Sequence, residues 1–249
     1  MAAHYYAGAM PDKRTHRGAH PEDAEVFSAR HVASLRSAVA DYSLLLSKGY
    51  APKSSLKLVG DRFSLTDRQR LAVMRCGCSD SQLQIRRANE VNVSELEAEP
   101  IIIDGYNVLI TTEAALSGAP IFRSRDDCFR DLAGIHGTYR KVTETIPAIE
   151  LIAKCLLDLG IESALWLFDS PVSNSGRLKT IIASLAEENG WVWEIELLPN
   201  PDKKLIESDM IAATSDSDVL DKCGKWTNLT AHIIEAAIPK AQIIDLSTV

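Results

Sequence analysis

The chain has 249 residues, 46% apolar and 24% charged, a composition that supports a packed globular core and argues against a disordered one. No apolar run approaches the roughly 20 residues that a membrane-spanning helix needs, so no membrane partner is expected. The net charge of −7 is uneven: residues 1–99 carry fourteen Lys/Arg against twelve Asp/Glu and residues 100–249 carry thirteen against twenty-two, which suggests two parts with different tasks.

Residues 1–20, "MAAHYYAGAMPDKRTHRGAH", have no apolar segment behind a basic start, so they read as a flexible tail and not as a secretory signal. The five cysteines are odd in number and scattered, which argues against a disulfide framework and for a reducing, cytoplasmic setting. "CGC" at 76–78 has no second pair at zinc spacing, and Cys155 falls on an apolar helical face and reads as core.

Residues 21–95 read as a helical domain. Val32, Leu35, Val39, Tyr42, Leu45 and Leu46 recur near a 3.6 period, with Gly49 as the stop. A short helix, a turn at Gly60–Asp61 and a second helix follow. Thr66 and Gln69 have the spacing of a capping box, and a third helix is expected from Asp80 to Ala88. The acidic segment "NVSELEAEP" (92–100) ends in proline and marks the boundary.

After Pro100, strand-like runs at Ile101–Ile103, Ala164–Phe168, Val192–Leu197, Met210–Ala213 and Ala241–Leu246 alternate with helix-like runs at Ile146–Leu159, Arg177–Asn189 and Thr230–Ile238. The strands are continuously apolar, as in a mainly parallel sheet buried on both faces. The expected fold is α/β, a three-layer α/β/α domain over residues 100–249 behind a small all-helical domain.

Three of these strands end in acid: "IIID" in Asp104, "LWLFD" in Asp169, and "MIAATSDSD" in Asp216 and Asp218. Sites in open parallel sheets form beyond the carboxyl ends of the strands. Carboxylates crowded on one edge repel and lose hydration, and a divalent cation offsets both costs. An oxygen-only set suits Mg²⁺ or Mn²⁺, which activate water and clamp a phosphodiester oxygen. Asp104, Asp169 and Asp216 are the expected metal ligands, with Asp218 in support, Gly105 for a tight turn and Asn107 to orient Asp104 or water. The competing reading is that such Asp residues are ordinary turn formers and helix caps. Asp209 precedes its strand and belongs at the opposite edge.

"FDSPVSNSGRLKT" offers Ser173, Asn174 and Ser175 as capping oxygens and Arg177 at a helix start, a seat for phosphate or an ordinary capped helix. "RSRDDCFRDL" (123–132) reads for the most part as a solvated face, with Asp127 and Asp131 as accessory acids beside Glu150. His136 and Arg140 are candidates for touching substrate.

"IIIDGYNVL" resembles the first strand of PIN-like nucleases, above all their NYN branch, and "LFDSP" and "ATSDSDVLD" look like the later acidic strand ends of that fold. The resemblance covers about residues 100–249. The whole chain also resembles a prokaryotic two-domain family labelled domain of unknown function 434, through "GDRFSLTDRQRLAV" and "PVSNSGRL". The resemblance implies a metal-dependent endoribonuclease leaving 3′-hydroxyl and 5′-phosphate ends, with Asp104, Asp169 and Asp216 as ligands. It also implies a fourth acid on a helix, and here that position is ambiguous among Asp127, Asp131 and Glu150.

Residues 48–87 carry nine Lys/Arg against three Asp/Glu, a stretch suited to holding RNA or simply to solvated helix faces. Two alternatives stand beside the nuclease. One is a catalytically inactive RNA- or protein-binding module. The other is an aspartyl phosphatase of the haloacid-dehalogenase kind, which needs an Asp where this chain has Tyr106. Self-association into a homo-oligomer is left open.

Overall fold

The computed structural model describes residues 15–134 and 137–247. The helical part comprises α1 (Asp23–Val26), α2 (Ala29–Ser47), α3 (Pro52–Arg62), α4 (Asp67–Cys76) and α5 (Asp80–Asn89). The rest runs β1 (Pro100–Asp104), α6 (Gly105–Leu116), β2 (Ile121–Arg123), β3 (Phe129–Arg130), α7 (Thr145–Asp158), β4 (Ser163–Asp169) and α8 (Ser175–Asn189). It continues through β5 (Trp193–Leu198), α9 (Pro201–Glu207), β6 (Ile211–Ala213), α10 (Ser217–Leu220), β7 (Trp226–Thr227), α11 (Leu229–Ala237) and β8 (Ile243–Asp245).

Local signals set the helical part. Thr66 and Gln69 exchange the two hydrogen bonds of a capping box at the start of α4, and Gly49 takes φ +80° after α2. The turn expected at Gly60–Asp61 is absent: α3 runs through both. Gly60 is small because the Arg70 guanidinium lies where a side chain would begin, 1.9 Å from an ideal Cβ.

The fold is α/β. The main sheet is all parallel, in the order β5-β4-β1-β6-β7. Ile101, Ile102 and Ile103 are each 0% exposed. Their alternation drives both outer layers together: Ile101 and Ile103 pack with α6, α7, α8 and α11, and Ile102 with Leu205 of α9 and Val219 and Leu220 of α10. Burying each of these isoleucines stabilises the fold by about 1.5–3 kcal/mol. The last strand, β8, does not join this sheet. It pairs with β2 in a second sheet, β3-β2-β8.

The two parts share a core. Phe122 of β2, Leu132 and Ile244 of β8 cluster with Phe27, Leu35, Val39 and Val73 of the helices. The chain leaving α5 also runs along the outer strand of the main sheet, where Val91 N donates to Trp226 O at 2.7 Å and Trp226 Nε1 to Arg86 O at 2.7 Å. Residues 15–20, expected to belong to a loose tail, are tied down: Arg17 Nε donates to the buried Glu113 at 2.9 Å and Thr143 N to Thr15 O at 2.9 Å.

The stretch 123–132 is not a solvated face. Ser124, Asp126, Arg130 and Asp131 are all buried, and Asp126 lies between Arg130 and Arg86 of α5. Most cations of residues 48–87 are likewise engaged within the protein. Arg62 pairs with Asp41, Arg68 with Asp23, Arg70 and Lys57 with Asp61, Arg75 with Asp131, and Arg87 with Asp127. All five cysteines are free and buried, Cys155 within the core as expected, and burial pushes Cys76 up to about 12. Among the described residues, no helix is long and apolar enough to cross a membrane.

Gly105 is the first residue of α6, not a left-handed turn. An ideal Cβ there meets Phe168 Cε1 at 2.4 Å and Leu167 O at 2.7 Å, so the glycine lets a helix start flush against β4. We expect Gly105→Ala to cost about 1–3 kcal/mol by overpacking, read as a fall in urea midpoint with an unchanged slope.

Candidate active site

Strand order sets where a sheet of this kind offers a ligand crevice. β1 sits centrally, the chain builds outward through β4 to β5, then returns to lay β6 on the other side of β1. The crevice at the carboxyl ends of β1 and β6 is therefore the switch point where open α/β sheets place ligands.

Asp104 ends β1 and caps α6. Its Oδ1 accepts from Asn107 N at 3.4 Å and its Oδ2 from Thr214 Oγ1 at 2.8 Å. The Thr214 hydroxyl in turn accepts from Asp216 N at 3.0 Å, so one hydroxyl links both acidic positions. Asp216 caps α10, its Oδ1 accepting from Asp218 N at 2.8 Å and Val219 N at 3.1 Å. Both Asp residues thus do act as helix caps, and they share the switch point as well. The Asn107 carboxamide does not reach Asp104. Its Oδ1 accepts from Ser215 N and Ser215 Oγ, each at 2.8 Å, and braces α6 against the loop after β6.

Asp169 lies at the same edge, two residues past the point where β4 stands opposite Asp104. It is half-buried, which raises its pKa. Beside it, the Tyr106 hydroxyl is buried without a hydrogen-bond partner among the described residues. Burial, then the Asp169 charge, raises that phenol. Asp218 is exposed in the first turn of α10. Asp209 precedes β6 and so lies at the far edge.

A further acid at this edge was missed. Asp202, exposed in the first turn of α9, has its pKa raised by partial desolvation and then by Asp216, Asp169 and Asp218. The signal was present: "LLPNPD" puts an Asp shortly after the end of β5, a fourth strand end with acid. The three accessory candidates separate. Asp131 is buried, accepts from Thr111 Oγ1 and Ala133 N at 2.6 Å each, and lines a cavity of about 220 Å³ with Asn107, Asp216, Arg75 and Arg130. Asp127 faces Arg87 and Glu150 is exposed on α7. His136 lies outside the described residues.

The electrostatics follow from the crowding. Burial pushes the Asp104 carboxyl up to about 7; the Thr214 hydroxyl opposes this, while Asp216 and Asp202 add to the push. Among the described residues, no Lys or Arg forms an ion pair with Asp104, Asp169, Asp202, Asp216 or Asp218, although nearly every buried acid has one. No three Asp, Glu, His or Cys side chains among the described residues stand close enough to enclose an ion unaided.

At the start of α8 the capping oxygens do not cap. Asn174 is left-handed at φ 70°, and its Nδ2 donates to Tyr139 O at 2.9 Å. Ser173 N donates to Gly137 O, and Ser175 Oγ points back to Ser170 O. Arg177 and Arg140 line a second cavity.

A family model described as a domain of unknown function, DUF5616, matches residues 93–232, more than half of the chain. The chain belongs to this family. The DUF5616 span contains all five carboxylates of the edge. The helices before it match a second model, a protein of unknown function, DUF434, over residues 34–89. The DUF5616 chain is similar to the uncharacterized protein MJ0935 of Methanocaldococcus jannaschii. The two are 28% identical over 187 residues, 75% of this chain and 89% of that protein. No solved structure matches the chain.

Proposed function

We propose that this protein is a metal-dependent endoribonuclease acting at the carboxyl edge of its main sheet. The observation that carries this reading is the convergence of Asp104, Asp216, Asp169 and Asp202 at the switch point, each within electrostatic reach of another and none paired with a cation among the described residues. Asp104 and Asp216 would hold Mg²⁺ or Mn²⁺, with Asp169, Asp202 and Asp218 contributing negative charge around it. The cation, when bound, supplies positive charge to a phosphodiester oxygen and acidifies water.

The chain's own groups do the positioning. Thr214 holds the Asp104 carboxylate by its Oδ2, and Asn107 fixes the Ser215 backbone, so the two acid-bearing segments keep one spacing. The likeness of "IIIDGYNVL" to NYN-type strands supports RNA as the substrate.

Purified protein incubated with 5′-labelled RNA should cleave it with Mn²⁺ or Mg²⁺ and leave it intact with EDTA. The products should carry 5′-phosphate and 3′-hydroxyl ends. RNA left whole with every divalent ion tried, yet bound, would favour the inactive binding module instead.

A further inference from the structure

Among the described residues, the arginines of this protein are almost all satisfied internally. Among the described residues, every arginine pairs with a carboxylate except Arg140 and Arg177. These two come from separate segments and line one cavity of about 320 Å³, together with Lys141, Tyr139, Asn174 and Leu178. Lys141 also has no carboxylate partner among the described residues.

The cavity is held by main-chain bonds. Ser173 N donates to Gly137 O and Tyr139 N to Ser173 O, each at 3.0 Å. Asn174 Nδ2 donates to Tyr139 O, and Arg17 Nη2 fixes Arg140 O at 2.9 Å. Three like charges gathered on a braced scaffold repel one another, and an anion in the cavity relieves that repulsion.

Position selects the anion. Asn174 follows Asp169 by five residues, so the cavity lies within about 18 Å of the acidic edge even at full chain extension. The Tyr139 ring also packs 5.5 Å from that of Tyr106, which follows Asp104 closely. A strand with a phosphate at every nucleotide spans both places; a lone anion does not.

We propose that Arg140, Lys141 and Arg177 bind a backbone phosphate of the RNA, a few nucleotides from the bond presented to the acidic edge. The inference rests on the nuclease reading for its choice of strand, and its test does not require cleavage.

The test is fluorescence anisotropy of the full chain with a labelled single-stranded RNA in EDTA. Arg140→Ala/Arg177→Ala should bind at least tenfold more weakly. Its plot of log K against log salt should be shallower by about 0.7, the share of one phosphate contact on a single strand. Lys48→Ala/Lys53→Ala, which removes the same charge from the helical part, should stay within twofold of wild type. Wild-type protein that binds RNA in this Arg-dependent way yet cleaves it with none of the divalent ions tried would sink the nuclease and keep the phosphate site. An unchanged affinity in the double arginine variant, an equal loss in the lysine control, or wild-type protein that ignores RNA while inorganic phosphate raises its Tm would each overturn the proposal.

Discussion

Asp104→Asn is expected to lower RNA cleavage by about 10³-fold, in the range seen when one preorganised electrostatic group is removed from an active site. The substitution keeps the shape and leaves an acceptor for the Asn107 amide, so the fold should survive. A second reading separates chemistry from structure. Mn²⁺ at a hundredfold its Kd should stabilise the wild-type protein by about 2.7 kcal/mol and the variant by far less.

Without metal, the sign reverses. Because the folded-state pKa of Asp104 is raised from 3.8 to about 7, the folded chain holds the proton that the unfolded chain releases. Wild-type stability therefore falls as pH rises from 4 through 7. Asn cannot ionise, so the variant should melt higher than wild type at pH 8 and close to it at pH 4. A variant that cleaves normally, or that responds to Mn²⁺ like wild type, removes Asp104 from the site.

The second large effect is on stability. Asp126→Ala should cost about 3–5 kcal/mol, because it strands two buried guanidinium groups. Arg86 Nη1 and Arg130 Nη1 lie 2.5 and 2.7 Å from the Asp126 carboxylate, and the residues are 2%, 6% and 4% exposed for Arg86, Arg130 and Asp126. Arg86 also reaches Asp221 at 2.7 Å, which leaves it partly compensated, so Arg130 carries most of the loss. Burial alone would raise the Asp126 pKa, but the two arginines outweigh it and hold the carboxyl well below its usual 3.8. Its contribution is present above pH 4 and is lost as pH falls further. Urea unfolding at pH 7 and pH 3 checks both points: the gap between wild type and Asp126→Ala should narrow at the lower pH.

What was legible in the sequence was what short range decides. The capping box at Thr66 and Gln69, the run Ile101–Ile103 and the acids that end β1 and β4 are patterns within a few residues, and each occupies the expected element; Asp216 and Asp218, read as a strand end, stand instead at the start of α10. The helix directly after Asp104 was not legible, because "GYNVLITT" is apolar and β-branched and reads as strand until packing against β4 and α7 is known. Charge burial was misjudged at Asp126 and Arg130 for a related reason. Their partner Arg86 is 40 residues away, and no local rule announces such an encounter. Asp202 escaped because it stands in the helix after its strand rather than at the strand's last position.

The seam between the two halves has a thermodynamic meaning. Trp226 borrows backbone partners from residues 86 and 91, and Phe122 and Ile244 borrow apolar neighbours from α1, α2 and α4. Melting either half strips the other of its lining and bares an unpaired sheet margin. The protein is in that sense a single cooperative unit, and severing it at residue 93 would yield two fragments, each missing part of its own interior.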